Sequence, residues 1–190
     1  MNIHAPFELE GVTNEDYGTH YEGGCANPHC RIGKKLVGNV LVDRKLLKNR
    51  EIGLLMPGVF VSEKLKFLIN ENGLTGVTFD HEIKDYKRRQ EAKCYLLDIK
   101  HILPPMATST WLIIENRNTL INTCGHHNPY LRSDIQYERE KLTNAQDFNL
   151  SCEYLYGLLK YQEVIVSAKV RRVFMKNKIH AGFNPVMVLD

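Results

Sequence analysis

The chain has 190 residues, of which 43% are hydrophobic and 25% charged, so it is long enough to bury one core and too apolar for global disorder. Its net charge of +3 and its pI of about 8.5 argue against a dedicated nucleic-acid-binding domain. No apolar run approaches the ~20 residues that a membrane span needs, and the amino terminus carries no secretory signal, so we expect a cytoplasmic protein that binds no membrane.

The first 30 residues form an acidic lead-in with five acids and no lysine or arginine. Its acidic and aromatic candidates for partner binding are Glu8, Glu10, Glu15, Asp16, Tyr17, Tyr21 and Glu22. An acidic block of this kind is usually a solvated face, but it could also meet a basic partner. Both interpretations stay open at this point.

Two short segments carry candidate metal ligands. The first, CANPHC at residues 25–30, contains an Asn-Pro pair that favours a turn and would bring Cys25 and Cys30 to one side. The second, CGHH at residues 124–127, offers Cys124 with either His126 or His127. Because thiolate and imidazole are the preferred ligands of tetrahedral zinc, the two segments together predict a structural zinc site.

Other interpretations of these residues remain. The chain has five cysteines, an odd number, and looks cytosolic, so the thiols could also be free and unrelated, and a disulfide framework is not expected. The adjacent His126 and His127 could instead serve as general base and metal ligand in a zinc-dependent, HNH-like nuclease. No other catalytic motif is recognisable in the sequence, so we do not expect an enzyme.

The strongest pattern is an internal repeat. Residues 59–80 read VFVSEKLKFLINENGLTGVTFD, and residues 164–186 read VIVSAKVRRVFMKNKIHAGFNPV. Each copy predicts a strand, a helix and a second strand packed beside the first, with Ser62 and Ser167 as helix N-caps. Both helices carry an apolar stripe at the spacing i, i+3 and i+4.

The two copies differ where their helices end. Gly73 follows the last turn of the first helix and can adopt the left-handed conformation that often ends a helix. The second copy has Lys178 at this place, so we expect its helix to end less cleanly.

Further strands are predicted at residues 36–43, 94–102 and 110–115 from their β-branched and apolar residues. Together with the repeat units they predict one α+β (mixed α/β) domain over residues 1–190. Its core would be one sheet of about six strands, covered by a few helices and containing the duplicated strand-helix-strand unit.

The repeat, and its carboxy-terminal copy above all, resembles the signature that closes immunity proteins of bacterial polymorphic toxin systems, including the double-CxxCG immunity family. In those proteins a V-S-x-[KR]-hydrophobic helix leads to a glycine, an apolar strand and often a proline. The resemblance implies a non-catalytic protein that binds a cognate toxin, such as a nuclease domain, and masks its active site. This chain has CANPHC and CGHH where that family has CxxCG.

The resemblance also implies roles for the candidate residues. Cys25, Cys30, Cys124 and one of His126 or His127 would hold the zinc. Charge complementarity, independently of the resemblance, makes the acidic lead-in a candidate contact surface, since toxins that act on nucleic acid tend to be basic around their sites. The basic segment at residues 84–93 could equally meet an acidic partner. Direct nucleic-acid binding is not expected, and the remaining alternatives are the zinc-dependent nuclease and a zinc-stabilised adaptor without a toxin partner.

Overall fold

The computed structural model describes residues 2–4, 8–9, 20–24, 35–37, 40–42, 50–55, 58–80, 83–85, 91–110, 112–115, 128–131, 134–155 and 161–190. Within these ranges lie the helices α1 (Glu63–Glu71) and α2 (Ala168–Lys176) and a short 3-10 helix at Arg139–Leu142. The strands are β1 (Asn2–His4), β2 (Glu8–Leu9), β3 (His20–Glu22), β4 (Lys35–Val37), β5 (Val40–Val42), β6 (Ile52–Leu55), β7 (Gly58–Ser62), β8 (Val77–Thr78), β9 (Ile83–Asp85), β10 (Cys94–Leu96), β11 (Asp98–Ile99), β12 (Leu112–Glu115), β13 (Asn128–Leu131), β14 (Ile135–Glu138), β15 (Phe148–Leu155), β16 (Tyr161–Val166), β17 (Gly182–Asn184) and β18 (Val186–Leu189). None of the described helices is long and apolar enough to cross a membrane.

The mixed helix and strand content agrees with the α+β prediction, but the prediction of one six-stranded sheet is wrong. The described strands form two four-stranded sheets, with the orders β15-β16-β1-β17 and β10-β7-β6-β2, and several two-stranded sheets. The predicted strands at residues 94–102 and 110–115, which we expected in one sheet, lie in different sheets, since β10 pairs with β7 whereas β12 pairs with β13. The strands that precede the two helices, β7 and β16, lie in different four-stranded sheets, so the two copies of the repeat do not share one sheet.

Both copies have the same local topology, and it begins earlier in the chain than the sequence repeat indicates. Each unit starts with an antiparallel hairpin, β6–β7 in the first unit and β15–β16 in the second. Ile52 pairs with Val61 in the first hairpin, and Phe148 pairs with Val166 in the second. The hairpins are followed by α1 and β8, and by α2 and β17, respectively.

In each unit, the strand that follows the helix does not pair with the strand that precedes it, contrary to our expectation. In the second unit, β1 lies between β16 and β17 and is antiparallel to both. In the first unit, β10 pairs with β7, and β11, which follows it, pairs with β8. A helix about 10–12 Å wide spans roughly two strand spacings of ~4.8 Å, so the crossover leaves room for one inserted strand. Each unit is therefore a split β-α-β arrangement.

The predicted helix starts are confirmed. The Ser62 hydroxyl oxygen accepts a hydrogen bond from the Leu65 N–H at 3.1 Å, and Ser167 accepts one from the Val170 N–H at 3.3 Å. The apolar stripes of both helices are buried in one hydrophobic core, together with Phe148. The stripe residues are Leu65, Leu68, Ile69, Val170, Val173 and Phe174.

The strand that directly precedes each helix, β7 or β16, is buried on both faces. Val61 and Val166 point into the core that the two helices share. The preceding residues lie on the opposite faces, where Phe60 packs in a separate cluster with Val40 and Ile165 packs in a third cluster that contains Tyr137. Strands β7 and β16 therefore separate the shared core from a smaller hydrophobic core in each unit.

The two helices end in the same way, so the expectation of a less regular end at Lys178 is wrong. Gly73 has φ of +54° and Lys178 has φ of +56°. In both units the next residue donates its N–H back to the helix, from Leu74 to the Ile69 carbonyl at 3.0 Å and from Ile179 to Phe174 at 2.9 Å. Burial of Leu74 and Ile179 maintains this turn, although the left-handed conformation costs a lysine about 1 kcal/mol.

Candidate functional site

An acid, a serine and a lysine meet where α1 begins. The Ser62 hydroxyl donates a hydrogen bond to the Glu51 carboxylate, and Lys64 Nζ lies 3.1 Å from Glu51 Oε1. The Ser62 N–H also donates to the Glu51 carbonyl at 2.9 Å. The cluster therefore ties the first turn of the helix to the residue that precedes the hairpin.

The same three groups meet where α2 begins. The Ser167 hydroxyl donates to Asp147 Oδ1 at 2.5 Å, and its N–H donates to the Asp147 carbonyl at 3.0 Å. Lys169 Nζ lies 3.7 Å from Asp147 Oδ2. Glu51 and Asp147 are thus equivalent residues of the two units.

A serine beside a lysine can act as a nucleophile, but the geometry of these clusters indicates a structural role. The oxygen of each serine accepts a helix N–H, and its hydrogen goes to the neighbouring carboxylate. Each lysine ammonium contacts that carboxylate and not the serine hydroxyl. The two clusters position helices and leave no activated hydroxyl.

Asp147 also joins the two units. Its Oδ2 accepts a hydrogen bond from the Thr75 N–H at 3.1 Å, and its own N–H donates to Thr75 Oγ1 at 3.1 Å. The Phe148 N–H donates to the Thr75 carbonyl at 3.0 Å, and Lys169 Nζ donates to the Gly73 carbonyl at 3.1 Å. We call this contact, between residues 73–76 and the Asp147 cluster, the seam.

The charge of Asp147 is stabilised at the seam. Burial favours the neutral acid, but hydrogen bonds from the Ser167 hydroxyl and the Thr75 N–H, together with the charge of Lys169, outweigh it. The pKa of Asp147 is therefore lowered from its ordinary value of 3.8.

A groove of about 370 Å³ lies beside the seam. Its lining residues are Gly76, Val77, Thr78, Asp98, Lys100, His101 and Gln146. Lys100 pairs with Asp98 and with Asp80, each at 3.4 Å, and the attraction to Asp98 is the main reason that the Lys100 pKa is raised. The principal charges of the lining are already paired with each other.

The hydrogen bonds of Asn149 define the tautomer of His101. Asn149 Nδ2 donates to the carbonyls of Gln146 at 2.8 Å and Ile165 at 3.2 Å, so Oδ1 is the acceptor. His101 Nδ1 lies 2.8 Å from this Oδ1 and must carry the hydrogen. Nδ1 of the His101 ring is therefore occupied by Asn149. The described lining residues place no hydroxyl or thiol in a hydrogen bond with His101, so we assign no reaction to this groove.

The outer side of α1 carries aromatic and cationic groups. Lys66 Nζ lies 3.7 Å from the centre of the Tyr95 ring and 5.4 Å from the centre of the Phe79 ring. These two rings form an edge-to-face pair with centroids 6.2 Å apart. Phe67, on the same helix, is 62% exposed. Aromatic side chains of this kind are typical anchors of protein interfaces.

Most of the predicted site residues lie outside the described part of the chain. This applies to the candidate metal ligands Cys25, Cys30, Cys124, His126 and His127, and to Glu10, Glu15, Asp16 and Tyr17. The zinc site and most of the acidic lead-in therefore remain predictions.

The remaining lead-in residues fall in two strands. Glu8 lies in β2 and is paired with Leu54, whereas Tyr21 and Glu22 lie in β3 and are paired with β4. Strand β2 joins the sheet of the first unit, and β3 belongs to a separate two-stranded sheet. The structure does not bring these three residues into one strand pair.

The described residues contain no group of three or more histidine, cysteine or acidic side chains that could hold a metal ion. Neither Cys94, which is buried, nor Cys152, which is exposed, forms a disulfide. Burial is the main reason that the pKa of the Cys152 thiol is raised, so it is a weak nucleophile at neutral pH.

The sequence interpretation missed Glu51, Asp147 and Thr75. The two acids each precede an apolar residue that begins a hairpin, and this signal was present in the pairs Glu51-Ile52 and Asp147-Phe148. It is weak because the acid lies eleven residues before its serine in one unit and twenty residues before it in the other.

Comparison with known proteins identifies no family. No protein-family model matches the chain, and no curated protein shows significant similarity to it. The function is therefore argued from the residues themselves.

Proposed function

We propose that the protein is an immunity protein, which binds a cognate bacterial toxin in the cytoplasm and neutralises it by masking the toxin's active site. The proposal starts from the V-S-x-K signature that both repeat units share. Its support is that the signature serines and lysines are bonded within the scaffold at both helix starts. A signature that only builds the scaffold fits a protein that acts through its outer surface, by binding rather than by catalysis.

The exposed surface of α1 fits the same proposal. Phe67 is exposed on the helix, and the Lys66 ammonium of the same helix covers the rings of Tyr95 and Phe79. Buried aromatic anchors contribute much of the binding energy in protein interfaces. The acidic lead-in remains a second proposed contact, directed at a basic toxin surface.

The proposed function is tested by co-expression with the toxin domain encoded by the gene immediately upstream. We expect cells that produce this domain to survive only when the protein is also present, and the two chains to purify as one complex. A toxin domain of unrelated sequence is the control and should neither be neutralised nor co-purify. Failure of both rescue and co-purification with the cognate domain would reject the proposal.

We also propose that Cys25, Cys30, Cys124 and one of His126 or His127 hold a structural zinc. A closed tetrahedral site would stabilise the fold without catalysing a reaction. Protein purified without an affinity metal should contain about one zinc per chain. Cys25→Ser should lose the metal and melt at a lower temperature, whereas Cys152→Ser, which removes an exposed free thiol, should do neither.

The same measurements separate the alternatives. Zinc-free wild-type protein, together with unchanged melting of Cys25→Ser, would mean that these residues are ordinary thiols. Zinc binding without any interaction with the toxin domain would favour the zinc-stabilised adaptor.

A further inference from the structure

The two repeat units differ in the charge that they expose. With Ser62 placed on Ser167, the units match without insertion from the helix start to the second strand, because β8 and β17 begin equally far from their serines. Residues 63–80 contain two lysines and three acids, whereas residues 168–185 contain five bases and no acid. The changes that alter the charge are Glu63 to Ala168, Phe67 to Arg172, Glu71 to Lys176, Gly73 to Lys178 and Asp80 to Pro185, and Thr75 is replaced by His180.

Apart from Lys169, which lies at the seam, the bases of α2 are on its outer side. Ala168, Arg171, Arg172 and Met175 follow the spacing i, i+3, i+4 and i+7, and all four are exposed, opposite the buried stripe. Lys176 and Lys178 are also exposed, and Met175 is 60% exposed. We call Arg171, Arg172, Met175, Lys176 and Lys178 the basic face. In the part of the chain that the structure describes, none of its four bases forms an ion pair.

Helix stability does not explain the basic face. The start of a helix carries a partial positive charge that favours acids, and α1 has Glu63 in its first turn, whereas α2 has no acid there. Arg171 and Arg172 follow directly after this turn. Lys178 occupies a left-handed position at which the first unit has glycine. Of the four bases, only Lys176, in the last turn, suits the helix dipole.

We propose that the basic face is a docking surface for an acidic protein surface and, if the proposed function holds, that this surface belongs to the toxin domain. Arg171, Arg172 and Lys178 are exposed, form no ion pair in the described part of the chain and are not favoured by the helix dipole, so their charges are available to a partner. A protein partner is favoured over nucleic acid because the face presents an exposed methionine among arginines, and both residue types are enriched in protein interfaces. The pI of about 8.5 also lies below that of typical nucleic-acid-binding domains.

The charge reversal Arg171→Glu/Arg172→Glu tests the basic face in the full chain. We expect the affinity for the toxin domain to fall by about ten-fold or more, mainly through slower association, and its salt dependence to become shallower. The melting temperature should stay nearly the same, because both side chains are exposed and lie beyond the first turn of the helix. Lys178→Gly should weaken binding by less and should raise the melting temperature.

The control is Arg139→Glu/Lys141→Glu in the 3-10 helix, which changes the net charge by the same amount at two exposed bases. Its affinity should stay within about two-fold of the wild-type value, because both residues lie outside the proposed docking surface. If the wild-type protein binds the toxin domain and Arg171→Glu/Arg172→Glu binds it equally well, the basic face is not the docking surface.

If the wild-type protein does not bind the toxin domain, the proposed function fails, and the basic face is tested with polyglutamate and with a duplex oligonucleotide. Polyglutamate binding that is lost in Arg171→Glu/Arg172→Glu would support an acidic protein partner. Equal binding of polyglutamate by wild type and variant would overturn the proposal. Tighter binding of the duplex than of polyglutamate would also overturn it and would indicate a nucleic-acid partner.

Discussion

Replacement of Gly76 by alanine is expected to reduce the free energy of unfolding by about 3 kcal/mol or more. Gly76 has φ of +89°, and a Cβ added there would lie 2.1 Å from the carbonyl oxygen of Phe148. This oxygen cannot move away without opening the seam, because the Phe148 N–H is bonded to Thr75 and its side chain is fully buried. The variant must therefore break the contact between the two units.

Gly73→Ala is the matched control for this prediction. Gly73 also has a positive φ, of +54°, but an added Cβ would meet nothing within 4 Å. We expect a cost of only about 1 kcal/mol, since the backbone conformation alone is unfavourable. Urea unfolding of both variants gives the two values. Equal costs would mean that the close approach at Gly76 is not required for stability.

Asp147→Asn is expected to lower the free energy of unfolding by about 2 to 3 kcal/mol at pH 7. The substitution removes the charge that accepts hydrogen bonds from Ser167 and Thr75 and that pairs with Lys169. One residue thus supports both the start of α2 and the seam. Glu51→Gln is the control, because Glu51 supports only the start of α1 among the described contacts, and it should cost clearly less.

The contribution of Asp147 should depend on pH in a defined direction. Because its pKa is lowered in the folded state, its stabilising effect is fully present above the ordinary value of 3.8 and is lost as the pH falls through the lower, folded-state pKa. Unfolding of the wild type and Asp147→Asn should therefore differ most at neutral pH and converge in acid. A difference that stays constant down to pH 2 would show that the carboxylate charge is not responsible.

The sequence predicts the parts of this fold that are determined locally. The N-cap role of Ser62 and the stripe Leu65, Leu68 and Ile69 depend on residues within one helix, and so they were predicted correctly. The insertion of residues 94–99 between β7 and β8 depends on pairing between distant residues, for which the repeat carries no signal. The left-handed Lys178 was also missed, because burial of Ile179 overrides the local preference for glycine.

The candidate site is predictable only in part. The predicted zinc ligands and most of the acidic lead-in lie outside the described residues, so they remain hypotheses. The sequence shows the basic face only as a run of bases without acids. The structure adds where these bases lie on the helix. The structure shows that Arg171 and Arg172 are exposed and equivalent to Lys66 and Phe67, and this comparison distinguishes a specialised surface from an ordinary solvated helix.

The inserted strands also impose an order of assembly. The first unit has all of its strands once Ile99 has been synthesised, because β11 follows β8 closely in the chain. The second unit has β1 as its inner strand, and Asn2 must find Ile165 and Asn184 at the other end of the sequence. Strand β1 therefore stays without its native partners until β16 and β17 have been synthesised. Contacts between such distant residues form slowly. The sheet of the second unit is therefore expected to fold later than that of the first and to be more prone to misfolding.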